Sequence, residues 1–205
     1  NKDYGNVRGL ELKIDYGINN LFIQTNYTYQ FTRGNADNPA QTFNRQGASI
    51  DEVIRFIPMS WDQRHTFNLS AGYNTQKFGI SATGYYNSGT PYTFSPQGES
   101  NLALLNLYPN NDYKPSNYHA DLSAYINLPK IFGFSSKIDL LVYNLTDRYN
   151  EYGVSSETGR AYSAVVNETE LLSHRSNFNN YEDRYKDPSS FSAPRQIKVG
   201  LTVQF

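Results

Sequence analysis

The 205-residue chain contains no cysteine, and that absence removes disulfide frameworks, thiolate nucleophiles and cysteine-ligated zinc from consideration. Histidine is nearly as scarce, with only His65, His119 and His174. A zinc site takes about three or four ligands, and "WDQRH" brings Asp62 near His65 with no third ligand or nucleophile beside them. The expectation there is a rim contact between neighbouring strands, with no catalytic residue, metal or other cofactor. Charged residues make up 18% of the chain, the formal net charge is -1, and no basic run is present to neutralise a phosphate backbone. Nucleic acid is thereby excluded as a partner. No apolar run approaches the roughly 18 residues that a membrane-crossing helix requires. The opening "NKDYGNVRGLELKID" has no Met, no basic stretch and no apolar core of a signal peptide, so an internal start within a longer protein is expected.

What the chain does have is aromatic and patterned. Tyr numbers 18 and Phe 12 against one Trp and one Met, within a hydrophobic fraction of only 38%. Apolar and polar residues alternate in long segments, and a period of two marks a strand with two unlike faces. Leu10, Leu12, Ile14 and Tyr16 alternate with Glu11, Lys13 and Asp15; Leu21, Ile23, Tyr27, Tyr29 and Phe31 alternate with Gln24, Asn26, Thr28 and Gln30. The pattern recurs over 65–74, 78–87 and 118–128, and again at the end, where Ile197, Val199, Leu201, Val203 and Phe205 oppose Lys198, Gly200, Thr202 and Gln204. "SKIDLLVYNLT", over 136–146, is apolar without a clear period, and its facing stays open. Seven long strands are expected.

Their connections follow a rule. "GINN", "NTQK" and "PKIFGF" are tight, whereas residues 32–62, 88–117 and 147–195 are long, and tight and long alternate along the chain. Loops beyond about 12–15 residues are uncommon in compact domains. Outer-membrane barrels have this form, with short periplasmic turns, long extracellular loops and strands of about ten residues. In hydrocarbon no water satisfies backbone N–H and C=O groups, so strands must pair in a closed cylinder, with side chains alternating between lipid and a wet interior. Such a wall explains why Lys13, Asp15, Asp121 and Lys198 all fall on the polar face, and why Tyr16, Phe31, Tyr73, Phe78 and Phe205 sit near strand ends. A soluble β-sandwich also alternates, but its strands are shorter, about five or six residues on average, and it needs no long/short rule. The fold class expected is all-β, an antiparallel transmembrane β-barrel segment. Single-chain bacterial barrels have even strand numbers from about eight upward, so seven implies either one strand overlooked or the C-terminal piece of a larger barrel.

"GNVRGLELKIDYGINNLFIQTNYTY", "PMSWDQRHTFNLSAGY", "GYYNSGTPYTF", "SNYHADLSAYINL", "LLVYNLTDRYN" and "APRQIKVGLTVQF" resemble, in order and spacing, the last barrel strands of TonB-dependent outer-membrane receptors. The likeness spans nearly all of residues 1–205. It implies a barrel of about 22 strands, an N-terminal plug, and import of a scarce nutrient (siderophore, cobalamin, glycan or peptide) driven by TonB. The plug, the earlier strands and the TonB-contacting box match nothing in this chain, so they are expected either to precede it or to be absent. The partners implied are outer-membrane lipid, the remaining strands and plug of the same receptor, TonB, and the barrel assembly machinery, which reads a terminal aromatic behind alternating apolar residues, here Phe205 behind Val203, Leu201, Val199 and Ile197. The alternative is a structural or adhesive surface barrel that transports nothing.

The long loops are the expected functional region. Aromatic faces with nearby amides suit ligands bound by stacking and hydrogen bonds, and the candidates are Tyr92, Phe94, Tyr108, Tyr113, Tyr149, Tyr152, Tyr162, Phe178 and Tyr181, with Tyr185 beside them; packing of the loops on one another is the plainer use of the same rings. Ser49 and Glu52 form a capping box before Pro58, predicting a short helix over 49–58, and a second is expected over 160–175.

Overall fold

The structure is a computed structural model that describes residues 4–47, 55–95, 108–130, 133–162 and 188–204. It is all-β and antiparallel. Seven long strands, β1 (Gly5–Ile18), β2 (Leu21–Gly34), β4 (His65–Asn74), β5 (Phe78–Asn87), β8 (Asn117–Asn127), β9 (Ser135–Tyr143) and β10 (Gln196–Gln204), lie side by side in chain order. The short β3 (Ile57–Pro58) adds to β2 as the eighth strand of this sheet, and β6 (Pro91–Tyr92) pairs with β7 (Asp112–Tyr113) in a ribbon of its own. Strands β1 and β10 are the two edges of the sheet. A meander reverses direction at every strand, so the β1–β2, β4–β5 and β8–β9 turns share one end and the three long connections share the other.

The expected strand spans are found to within a few residues at each end. The "GINN" hairpin closes at the Ile18–Leu21 pair, with Asn19 at φ 49°, a left-handed conformation that Asn tolerates better than most residues. For β9 the register removes the ambiguity: Leu122, Ala124 and Ile126 of β8 face Val142, Leu140 and Ile138, which in turn face Ile197, Val199 and Leu201. Cross-strand partners share a face. One row therefore runs the full width of the sheet as Tyr16, Ile23, Ala71, Ala82, Leu122, Val142 and Ile197. On the opposite face a row reads Lys13, Asn26, Asn68, Tyr85 and His119.

Helices differ from expectation. Residues 48–54, which hold the Ser49–Glu52 capping box, lie outside the described residues, and the tail of that segment, Ile57–Pro58, is a strand. The first long loop carries α1 (Pro39–Gly47), begun by Asn38, whose side chain accepts from the Gln41 amide at 3.0 Å, and by a proline at the first helical position. The second expected helix, over 160–175, lies mostly outside the described residues, and its first three are non-helical.

Among the described residues no second layer covers the sheet. The buried apolar side chains among them are Ile57, Met59, Val142 and Ala161, of which Val142 alone lies in one of the seven long strands.

Candidate functional site

Three loop clusters at one end and a polar trough on one face are the chemically equipped parts of the molecule. In the first cluster Asp62 is fully buried and accepts from the Thr32 amide (2.6 Å), Arg64 Nε (2.7 Å) and the Tyr113 hydroxyl (3.0 Å). The Arg64 guanidinium lies 4.2 Å from the centre of the Phe31 ring and 5.5 Å from that of Tyr113, and donates to the Tyr113 hydroxyl at 2.7 Å. Burial by itself would lower the Arg64 pKa, but the Asp62 carboxylate outweighs it and the value is raised. Burial and the same carboxylate raise that of Tyr113. This cluster clips the second long loop onto the rim of β2. A neutralised buried charge of this sort is structural in the first instance, since either partner alone would be left unpaired.

The second cluster joins the first two loops through amides. Asn110, at φ 58°, donates to the Pro58 carbonyl (2.9 Å) and to Asp37 (3.3 Å), while Asp37 accepts from the Ser60 amide (2.9 Å). The third surrounds the end of β9, in "YNLTDRYN". Asn144, buried at φ 52°, donates to the carbonyls of Arg148 and Ala193, both at 2.9 Å. Asn150, also buried, presents its amide to β8 as another strand would, accepting from the Tyr118 N–H (3.0 Å) and donating to the Tyr118 C=O (2.8 Å). Arg148 stacks 4.1 Å over the Tyr118 ring, and Asp147 holds the Arg195 amide at 2.9 Å where the chain re-enters the sheet. Beyond this knot Glu151 takes both Arg160 Nε contacts (2.9 and 3.1 Å) and the Ala161 amide (2.6 Å). Burial would raise the Glu151 carboxyl, yet the Arg160 guanidinium and the Ala161 N–H hold it below its ordinary value.

The aromatic candidates separate into groups. Tyr92 and Phe94 meet edge to face with centroids 6.4 Å apart, and the Tyr92 hydroxyl reaches Asp112 at 3.3 Å. Tyr149 and Tyr162 line one cavity of 770 Å³ with Glu151, Arg160 and Phe191. These two groups adjoin, because Tyr92 packs on Gly159, whose φ of +69° and missing side chain leave room for the ring, and Ser95 N–H reaches the Ser156 carbonyl at 2.7 Å. Tyr113 belongs to the Asp62 cluster, Tyr152 neighbours Tyr85 of the wall, and Tyr108 is exposed. Phe178, Tyr181 and Tyr185 lie outside the described residues, as does Phe205, while Ile197, Val199, Leu201 and Val203 stand exposed along β10.

Asp62 and His65 do not pair. His65 Nδ1 instead meets the Tyr27 hydroxyl of the neighbouring strand at 2.9 Å, and His119 Nε2 meets Asp121 at 2.7 Å with its ring stacked on Tyr85. Among the described residues no group of three His, Asp or Glu is placed to hold a metal. The His119–Asp121 pair lies in a trough of 520 Å³ on the polar face, walled also by Lys13, Asn26, Asn68 and Tyr85.

The sequence reading named the loop rings but missed Asp37, Asn110, Asn144, Asn150 and the Glu151–Arg160 pair that hold the loops. The signal for Asn144 and Asn150 was present as two Asn around "LTDR" at a strand end, where a buried amide can stand in for backbone pairing. Comparison of the chain with protein families, curated proteins and solved structures gives no match to any of them.

Proposed function

We propose that this chain forms seven contiguous wall strands of a TonB-dependent outer-membrane receptor, a ligand-gated importer of a siderophore, cobalamin, glycan or peptide. Other parts of the same receptor supply the remaining strands, the plug and the contact with TonB. The observation that carries this reading is the broad apolar face of a sheet that no second layer covers among the described residues. On β1 and β10 alone Leu10, Leu12, Ile14, Ile18, Ile197, Val199, Leu201 and Val203 are 46–73% exposed. At about 1.5–3 kcal/mol per fully buried side chain, leaving these eight half-wet in water forgoes on the order of 10 kcal/mol. That equals the whole stability of many soluble domains. In hydrocarbon the same exposure costs nothing, and the backbone of every interior strand is already paired on both sides, as a bilayer demands. The concave polar trough then faces the interior, and the end that carries the long, cross-tied loops faces outward. Ligand contact falls to the loop aromatics, with Tyr92–Phe94 and the Tyr149–Tyr162 cavity as the places where rings converge. No covalent step is assigned to any residue.

Labelling tests the membrane part of the proposal. Leu12 is 53% exposed and the Lys13 side chain 68%, so a water-soluble maleimide would reach cysteines at both positions of a soluble sheet. In the full-length protein in native outer membranes, Lys13→Cys is expected to react and Leu12→Cys to be spared until detergent is added; equal reaction refutes a lipid-facing wall. Transport is tested by uptake of radiolabelled ferric chelates, cobalamin, oligosaccharides and peptides with and without functional TonB. Replacing residues 153–189 by a short Gly-Ser linker leaves the Asn144, Asn150 and Asp147 ties in place and is expected to abolish that uptake with the barrel still folded. Uptake of none of these by the intact protein would favour the adhesive barrel instead.

A further inference from the structure

The seven long strands contain nine Lys, Arg, Asp and Glu residues, and seven of them lie on the polar face. The two exceptions are Arg8 and Arg33. They stand on adjacent strands as diagonal neighbours, Arg8 opposite Phe31 and Arg33 opposite Asn6, and both are exposed at the long-loop end of the apolar face. The turn end of that face carries no cation within its strands: it shows Ile18, Leu21, Tyr73, Phe78, Ile126 and Leu201. Among the described residues no carboxylate pairs with either guanidinium, and Arg8 Nε donates only to Asn6 Oδ1 at 3.0 Å. Between them opens a groove of 720 Å³, floored by Gly9 and Leu10 and walled by Tyr29, Phe31 and Phe56. Tyr29 and Phe31 meet edge to face at 4.9 Å, and Phe56 is braced by Tyr4 at 5.1 Å, so the walls are packed rings rather than loose side chains.

We propose that this groove binds a net-anionic phosphorylated lipid from the leaflet on the long-loop side, its phosphate held by Arg8 and Arg33 and an acyl chain lying along Leu10 and Tyr29. The inference rests on the membrane reading above. A lone arginine at this depth would simply reach for water, at a cost of about 0–1 kcal/mol near an interface. Two that line one apolar groove, with no carboxylate paired to either among the described residues, call for a shared anion, and the partner that satisfies both the guanidiniums and the groove is an anion carrying a hydrocarbon tail. Guanidinium forks match phosphate oxygens in bidentate geometry, which adds orientation to attraction.

The test uses the full-length protein in detergent with short-chain phosphatidate, phosphatidylcholine of the same chain length, and inorganic phosphate as probes, binding being read by native mass spectrometry. Phosphatidate is expected to bind saturably and phosphatidylcholine not to. The Arg8→Gln/Arg33→Gln double variant is expected to bind phosphatidate about tenfold more weakly, the scale of losing charge-assisted hydrogen bonds. Lys198→Gln, on the polar face, is expected to bind as the wild type does, and heat-modifiable gel mobility verifies that each variant is folded. Equal binding of the two lipids, or undiminished binding by the folded double variant, overturns the proposal. Displacement of phosphatidate by equimolar inorganic phosphate also overturns it, by assigning the guanidiniums to a free anion. Failure of the membrane reading is separate, since it would show as equal labelling at Leu12→Cys and Lys13→Cys.

Discussion

Replacing Leu12 by Arg places a charge at the centre of the apolar face. Leu12 stands seven residues from Gly5 and six from Ile18 in a 14-residue strand, roughly 24 and 20 Å along the chain at about 3.4 Å per residue. With a tilt of about 45° those lengths become roughly 17 and 14 Å along the bilayer normal, so the side chain sits close to the midplane of a hydrocarbon core about 30 Å thick. A guanidinium there costs about 2–4 kcal/mol, since neither water nor headgroup is within easy reach. That is roughly a 30- to 700-fold change in the unfolding equilibrium. If water were the solvent, the same change at a side chain 53% exposed would fall within about 0.5 kcal/mol, the usual range for surface substitutions. Thr28→Lys is the control, because Thr28 lies on the polar face opposite Glu11 and a cation there stays hydrated with an acidic neighbour. The assay is urea unfolding of the full-length protein in phospholipid vesicles, followed by heat-modifiable gel mobility. Equal midpoints for Leu12→Arg and Thr28→Lys would refute the lipid-facing assignment.

Asn150→Ala removes the side chain that pairs with both backbone groups of Tyr118 and is expected to cost about 1–3 kcal/mol through the buried groups it leaves unpaired; hydrogen exchange at the Tyr118 amide should quicken accordingly, and unchanged protection would show the knot to be dispensable. The Glu151 carboxyl is held below its ordinary 4.5 in the folded loop, so its contribution is complete above about pH 4.5 and is lost as the pH falls through the lower folded-state value. Limited proteolysis of the third long loop is therefore expected to accelerate below pH 4.5 in the wild type and to be fast at neutral pH already in Glu151→Ala; protection wholly unchanged down to pH 3, where about 95% of a Glu released into the opened loop is protonated, would count against the Arg160 clamp. Deleting Phe205 is expected to lower the amount of folded, heat-modifiable barrel in the membrane, by weakening recognition during assembly, and an undiminished band would rule that role out.

Local pattern and long-range partnership were unequally legible. A strand with one apolar face writes its period into the chain, so β1, β2, β4, β5, β8 and β10 could be read from residues such as Leu10 to Tyr16 and Ile197 to Val203. In β9 the run Leu140, Leu141, Val142, Tyr143 hides the period, and only the ladders to β8 and β10 show that Leu141 and Tyr143 face the polar side. The α1 helix was readable, since Asn38 followed by Pro39 is a start signal, but the capping box of Ser49 and Glu52 eleven residues later is the stronger local pattern. The ties between loops were not readable. Tyr113 and Asp62 are 51 residues apart, and Asn110 and Asp37 are 73 apart; nothing local in either member announces the other. Glu151 and Arg160 are nine apart in an irregular loop, where no helical or strand spacing predicts contact.

The neighbour-only ladder of this wall has an evolutionary corollary. Each long strand pairs with the next long strand in the chain, so the registers do not depend on what the connections between them contain. Doubling the length of a flexible loop costs only about 0.6 kcal/mol in closure entropy, less than one buried amide tie. Selection is therefore free to lengthen, shorten or exchange the segments beyond Asn110, Asn150 and Asp62 while the strands below keep their pairing. Novelty in what is recognised can accumulate at the rim of such a wall without renegotiating the fold that carries it.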